Sequence, residues 1–229
     1  MGFGGGFQVS VESEPKGTMA SEMKRRILMT VLGVSICGYS IGLFSHSKCG
    51  FDPFQVFSHG LWLFLGRGGM QVRYGTFYTV FNALLLLIIF LWNRKKIGLG
   101  TVINMFLVGY VSDFSEWTMK KLVPDPDWPV RILLLLFGIV IMCFASALYF
   151  TADLGVSTYD AVALTVHERT KFPFRWCRII SDLICVAVGW TLGASVGIGT
   201  VITAFFMGPL IDFFNRTVAV PMRYGRKKE

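Results

Sequence analysis

The chain of 229 residues has 53% hydrophobic and only 16% charged residues, and its mean hydropathy is +0.57. A soluble domain carries about 25% charged residues. Four segments contain no Asp, Glu, Lys or Arg: 27–45, 74–92, 132–152 and 183–211. A helix of about 20 apolar residues is long enough to cross a bilayer. Composition therefore excludes a secreted disulfide module, a disordered chain and an ordinary cytosolic enzyme. It predicts a multi-pass, all-α membrane protein with the lipid bilayer as its first partner.

The formal net charge is +8, and the basic residues lie at the ends of the apolar segments. This placement is typical of membrane topology and of contact with anionic lipid, so no nucleic-acid partner is expected. The five cysteines show no CxxC pair and no histidines at ligand spacing, which argues against a disulfide framework or a metal site. The sequence has no HExxH, GxSxG, Walker A or dinucleotide motif in a suitable context. We therefore expect no cofactor and no enzymatic activity.

In chain order, the sequence predicts a disordered tail over 1–23, a first repeat of three spans over 24–121 and an extracytoplasmic linker over 122–130. A second three-span repeat over 131–215 and a basic cytoplasmic tail over 216–229 follow. Six transmembrane helices are predicted, at 27–46, 74–92, 98–118, 131–151, 175–193 and 197–215. One side of this topology holds sixteen Lys and Arg and the other side six. The positive-inside rule then predicts that both termini are cytoplasmic.

The sequence repeats itself internally. Residues 98–114 read GLGTVINMFLVGYVSDF and residues 197–213 read GIGTVITAFFMGPLIDF, with nine of the 17 positions identical. Upstream, 26–52 aligns without a gap on 131–157, and in the middle spans Asn82 falls opposite Asp182. Because each half has an odd number of spans, the second copy must enter the membrane from the opposite side. The sequence therefore predicts two inverted three-helix repeats.

Each half also contains a short segment between its first and second spans, over 51–66 in the first half and from residue 157 in the second. The first begins Gly-Phe-Asp-Pro, which places Asp52 at a helix N-cap, and in the second Ser157 and Asp160 form an S-x-x-D capping box. Two interpretations stay open. The segments are either re-entrant half-helices whose N-termini face a central cavity or amphipathic helices lying in the two interfaces.

The repeated GxGTVIxxFxxGxxxDF pattern and the Asp-Pro-Phe after the first span resemble the YczE/YitT-like group of bacterial integral membrane proteins. The resemblance covers about residues 24–215. It implies a multi-pass protein of the bacterial inner membrane and supplies no catalytic residues.

The candidate binding residues are polar groups within or beside the spans. Asp182 is expected to bind solute or ion with Asn82, because ionisable groups inside a span are costly and functional by default. Alternatively, Asp182 only pairs with Arg178, four residues earlier on the same helical face. The remaining candidates are the cap residues and the GxGT threonines, which serve either close helix packing or an unwound, solute-lining stretch. They are Asp52, Ser157, Asp160, Thr101 and Thr200.

These features favour a small transporter or channel-like protein with an unidentified solute or ion bound at the repeat interface. The alternative is a non-transporting membrane partner, such as a scaffold, an assembly factor or the substrate-binding subunit of a larger transport complex. An intramembrane enzyme is the third hypothesis, although no nucleophile–base pair can be assembled from the sequence. A homodimer or a larger membrane complex is a further expected partner.

Overall fold

A computed structural model describes residues 19–69, 72, 74–92, 98–170 and 172–224. This part of the chain is helical and contains no strand. The helices are α1 (Met19–Ser47), α2 (Pro53–Arg67), α3 (Tyr74–Trp92), α4 (Leu99–Leu122), α5 (Trp128–Ala152), α6 (Thr158–Thr170), α7 (Phe174–Thr191) and α8 (Ile198–Phe214). The last of these continues through a π-helical turn (Asn215–Ala219) into α9 (Val220–Tyr224).

All six segments predicted to span the membrane are helical, and the two short segments form α2 and α6. Within the described residues, three helices are both long and apolar enough to cross a membrane: Met19–Ser47, Trp128–Ala152 and Ile198–Tyr224. The apolar stretch Thr76–Leu91 is shorter. The protein is thus an all-helical membrane protein, and the crossing of six helices stays a prediction.

Helix α1 packs along both α4 and α5. Glycines make this close approach possible. A methyl group at Gly33 would lie 2.9 Å from the carbonyl oxygen of Ala145, and one at Gly42 would lie 2.5 Å from Cβ of Ser115. Small residues at such positions let helix backbones pack closely in membranes. Helix α1 therefore joins the two halves of the chain.

The N-terminal boundary differs from the predicted one. Helix α1 begins at Met19, inside the segment predicted to be disordered over 1–23, while residues 1–18 lie outside the described part of the chain. Residues 19–26 read MASEMKRR, which are mostly strong helix formers. Glu22 also forms an ion pair with Arg223 at 3.7 Å, which ties this first turn to the C-terminal end of the protein.

The C-terminal boundary differs as well. Residues 216–224, predicted to belong to the basic tail after a span that ends at 215, continue the last helix, and 225–229 lie outside the described residues. Arg223 is buried and donates to the carbonyl oxygen of Thr151, near the end of α5. Asn215 donates to the hydroxyl of Thr151 at 2.7 Å. An arginine that caps the C-terminus of another helix thus holds this segment in the fold.

Candidate functional site

The described part of the chain buries an ionic cluster centred on Arg178 of α7. Arg178 is 5% exposed, and its Nε lies 3.3 Å from Oδ2 of Asp182, one turn later on the same helix. Its Nη1 donates to Oδ1 of Asp160 on α6. Asp182 is fully buried and Asp160 is 7% exposed. The expected pairing of Asp182 with Arg178 is present, and a second carboxylate shares the same guanidinium.

Hydroxyl groups complete the coordination of both carboxylates. Tyr149 of α5 donates to Oδ2 of Asp160, and Ser157 donates to the same oxygen at 2.5 Å. Tyr159 donates to Oδ1 of Asp182. Each of the four carboxylate oxygens therefore accepts at least one hydrogen bond.

The carboxyl groups in contact with Arg178 outnumber its single positive charge, because Asp160 and Asp182 share one guanidinium. Buried charge is costly unless it is paired. A site with surplus carboxylates can reduce this cost by taking up a proton or a small cation. Across the described residues, no group of three or more His, Cys, Asp or Glu side chains is placed to hold a metal ion.

The start of α6 positions Asp160. The backbone N–H of Asp160 donates to the hydroxyl oxygen of Ser157 at 3.2 Å, as a helix cap requires. The carboxylate of Asp160 turns towards Arg178 and Tyr149, so it does not make the backbone contact of a full capping box. The predicted cap is therefore half formed, and its acidic member serves the ionic cluster.

Asp52 caps α2 as its sequence position predicts. Its Oδ1 accepts from the backbone N–H groups of Phe54 at 3.0 Å and Gln55 at 3.1 Å, and Pro53 occupies the first helical position. The ring of Phe54 stacks on the ring of Tyr159, with centroids 4.8 Å apart and an interplanar angle of 20°. The first turns of α2 and α6 therefore meet beside the ionic cluster.

Asn82 lies at the edge of this site, on α3. Its Oδ1 accepts from the hydroxyl of Thr158 at 2.9 Å, and its Nδ2 donates to the carbonyl oxygen of Tyr78 at 2.9 Å. No direct hydrogen bond between Asn82 and Asp182 is found among the described residues. The two are linked through the consecutive residues Thr158 and Tyr159.

Thr101 and Thr200 hold the chain where it breaks between helices. The hydroxyl of Thr101 donates to the carbonyl oxygen of Val156 at 2.9 Å, just before α6. The hydroxyl of Thr200 donates to the carbonyl oxygen of Phe51 at 2.6 Å, just before α2. Each threonine belongs to one half of the sequence and supports the break of the other half.

Backbone hydrogen bonds also join each GxGT segment to the helix break of the opposite half. The N–H of Gly100 donates to the carbonyl oxygen of Leu154 at 2.7 Å, and the N–H of Gly199 donates to that of Cys49 at 2.9 Å. A methyl group at Gly100 would lie 2.5 Å from the carbonyl oxygen of Gly155, so the approach requires glycine. The GxGT segments thus pack closely against the breaks, which is the first of the two roles considered for them.

The two breaks also share one backbone conformation. Lys48 and Asp153 both have φ of 54°, while Gly50 and Gly155 have φ of 128° and 110°. These pairs occupy corresponding positions in the alignment of 26–52 on 131–157. Left-handed conformations are uncommon outside glycine, so their recurrence at matched positions indicates that both breaks are built alike.

Sequence reasoning missed the two tyrosines of the site and underestimated Arg178, which it treated only as a neutralising partner. Arg178 and Asp160 are 18 residues apart on different helices, and Tyr149 is 11 residues from Asp160. No helical period connects such positions. Only one feature of the sequence pointed to these contacts, namely an arginine within an apolar helix. Because burying its charge is costly, such an arginine is expected to have more than one partner.

These features define the class of protein: a helical membrane protein with a buried ionic cluster between two helix breaks. The chain belongs to a family described as "Family of unknown function (DUF6198)", whose model matches residues 24–216.

Its relatives include the uncharacterized membrane protein YczE of Bacillus subtilis (strain 168), which is 24% identical over 85% of this chain and 87% of that protein. An uncharacterized protein of Haemophilus influenzae is 26% identical over 85% of both chains. YyaS of Bacillus subtilis is 22% identical over 80% of this chain and 89% of its own length. The resemblance to YczE-like membrane proteins is thus confirmed, and no solved structure matches the chain.

Proposed function

We propose that this protein is a small bacterial inner-membrane transporter or channel-like protein in which the Arg178 cluster binds a proton or small cation and carries it across the membrane. The site lies between two inverted three-helix repeats, α2 and α6 are re-entrant, six helices cross the membrane and both termini are cytoplasmic. The observation that carries this proposal is the surplus of buried carboxylates around Arg178, placed where two capped helix N-termini meet.

The reciprocal contacts of the two breaks support the repeat. Thr101 and Thr200 make corresponding hydrogen bonds, each to the opposite half. The backbone N–H groups of Gly100 and Gly199 make corresponding hydrogen bonds as well, to the carbonyl oxygens of Leu154 and Cys49 in the opposite half. An arrangement related by a two-fold axis has this property, and an odd number of spans in each half places that axis in the membrane plane.

The cost of buried charge supports a transport role. Ionisable groups inside membrane proteins mark ion pathways and proton relays, since a merely structural contact could use cheaper apolar side chains. Lipid cannot satisfy the backbone groups that a helix break frees, and here Thr101 and Thr200 satisfy them from the opposite half. The ionic cluster begins at Tyr159 and Asp160, directly after the second break, and that is where we place the bound ion.

The test uses purified protein in liposomes that contain a pH-sensitive dye and, in a second set, a sodium-sensitive dye. Wild-type vesicles are expected to take up protons down an imposed gradient faster than empty vesicles. Asp182→Asn keeps the shape of the side chain and removes its charge, so uptake should fall to the level of empty vesicles. Asp212→Asn is the matched control because Asp212 forms the same i,i+4 ion pair, with the exposed Arg216 at 2.9 Å.

Two results contradict the proposal. Normal uptake in Asp182→Asn vesicles leaves Asp182 as no more than the partner of Arg178. Wild-type vesicles that take up neither protons nor sodium ions faster than empty ones support the alternative of a non-transporting membrane partner.

A further inference from the structure

Tyr159 contacts each part of the proposed ion site. Its hydroxyl donates to Asp182, and the guanidinium carbon of Arg178 lies 4.5 Å from the centre of its ring. The same ring stacks on Phe54 of α2. One side chain thus joins the carboxylate, the guanidinium and the neighbouring short helix.

The residues beside Tyr159 fasten the first turn of α6 to two other helices. Thr158 donates to Asn82 of α3, and Asp160 accepts from Arg178 of α7. The alignment of 26–52 on 131–157, continued by two residues, places Phe54 opposite Tyr159. The short helices therefore touch through aromatic rings at corresponding positions, but only the ring on α6 carries a hydroxyl that reaches the ionic cluster.

We propose that Tyr159 is the positioning residue through which the charge of Asp182 controls the contact between the first turns of α2 and α6. This inference rests on the ion site of the proposed function. An ionised carboxylate accepts a hydrogen bond about twice as strong as a neutral acceptor does. When Asp182 takes up a proton, the bond from Tyr159 weakens, the first turn of α6 loosens, and the stacked ring of Phe54 passes this change to α2.

Several titratable groups lie near Asp182, and their charges affect how readily Asp182 takes up a proton. They come from its own helix, from α5, from α6 and from the residue that caps α2: Arg178, Cys185, Cys143, Tyr159, Asp160 and Asp52. Arg178 is the cation among them, and it is shared with Asp160.

Hydrogen exchange of the full-length protein in lipid nanodiscs tests the coupling. Amide exchange in the segments 51–60 and 155–165 is measured at mildly acidic and mildly alkaline pH, and the rates are corrected for the intrinsic pH dependence of exchange. In the wild type, both segments should exchange about tenfold faster at the acidic pH, because the charge-assisted bond is lost there.

Tyr159→Phe keeps the ring and removes the hydroxyl. Both segments of this variant should exchange fast at both pH values, and Asp182→Asn should behave in the same way. Tyr110→Phe is the control, since Tyr110 is 76% exposed, and it should match the wild type. Phe54→Leu keeps the bond from Tyr159 to Asp182 but removes the stacking, so the pH response should persist in 155–165 and disappear from 51–60.

A wild type without a pH response in either segment overturns the proposal, as does a Tyr159→Phe variant that keeps the wild-type response. If Tyr159→Phe does not fold, the Phe54→Leu comparison decides alone.

The liposome assay separates the two proposals. A pH response in exchange without proton uptake leaves the coupling intact and removes the transport function. Proton uptake without a response in exchange removes only the coupling.

Discussion

Arg178 shows how one side chain can determine the energetics of a buried site. Its Nε and Nη1 contact two carboxylates that are almost fully shielded from solvent. Removing one partner of a buried ion pair leaves an uncompensated charge. The stability of the region around α6 and α7 should therefore depend on this guanidinium far more than on an arginine at the surface.

Arg178→Leu should lower the free energy of unfolding by about 3–5 kcal/mol, because it leaves Asp160 and Asp182 buried without a cation. Arg216→Leu, at a pair whose arginine side chain is 53% exposed, should change it by at most about 1 kcal/mol. Denaturant titration in detergent, followed by tryptophan fluorescence, measures both. Equal losses in the two variants would contradict a special role for the cluster.

At this scale, the sequence predicts pairs that follow a helical period and misses those that tertiary structure creates. The i,i+4 spacing of Arg178 and Asp182 indicated their contact as one of two roles for Asp182, and the Asp-Pro dipeptide predicted the Asp52 cap. The contacts of Asp160 with Arg178 and Tyr149 join three different helices. Their geometry depends on helix packing, which no local pattern specifies.

At the scale of elements, each helix break contains a glycine whose backbone conformation and close contacts disfavour any other residue. Gly155 has φ of 110°, and a methyl group there would lie 2.6 Å from the backbone nitrogen of Gly98. The left-handed conformation alone costs a non-glycine residue about 1–2 kcal/mol. The contact with Gly98 adds steric strain because both partners are backbone.

Gly155→Ala should therefore reduce the melting temperature in detergent, with a loss of stability of at least about 1–2 kcal/mol. Gly109→Ala is the control, since no heavy atom lies within 4 Å of the added methyl group and Gly109 sits inside α4. Alanine there should be neutral or gain up to about 1 kcal/mol through helix propensity. A stable Gly155→Ala variant would contradict the tight packing of the break.

Gly208→Ala tests how far the two repeats are equivalent. Gly208 occupies the position in 197–213 that Gly109 occupies in 98–114, but its added methyl group would lie 2.9 Å from the carbonyl oxygen of Arg175. We expect a measurable loss of thermal stability for Gly208→Ala and none for Gly109→Ala. Identical effects would mean that α4 and α8 are packed alike.

The glycine pair illustrates what a sequence repeat can and cannot predict. The repeat correctly indicated a helix break at a matched glycine in each half, because a break depends on local backbone chemistry, but it did not predict the reciprocal GxGT contacts. It could not predict that α8 packs closely on α7 at Gly208 while the equivalent surface of α4 is open at Gly109. Among the described residues α8 packs on α7, whereas α3 and α4 are not packed on one another in the same way.

At the scale of the whole molecule, the predicted topology can be tested directly. With six crossings, reporter fusions after residue 122 and after residue 229 should lie on opposite sides of the membrane. Paired alkaline phosphatase and fluorescent-protein fusions measure this. Both fusions on the same side would contradict the six-span arrangement and the inverted repeat that depends on it.

Hydropathy located the main helices well, because each apolar stretch is long and uninterrupted. It ended the last helix at residue 215, because the basic residues Arg216 and Arg223 interrupt the apolar stretch. Arg223 instead caps α5 from a helix that continues past a π-helical turn. A hydrogen bond from a basic side chain to the carbonyl oxygen of another helix depends on tertiary structure, which composition does not predict.

The hydrogen bonds between each helix break and the opposite half of the chain determine which break can be completed first during synthesis. The carbonyl oxygen of Phe51 accepts from Thr200, 149 residues later, whereas that of Val156 accepts from Thr101, which the ribosome has already made. At elongation rates of about 5–20 residues per second, the first break waits about 7 to 30 s for its partner. The hydrogen bonds that close the first break can therefore form only after residue 200 has been made, whereas those of the second break join residues that are already present when it is synthesised.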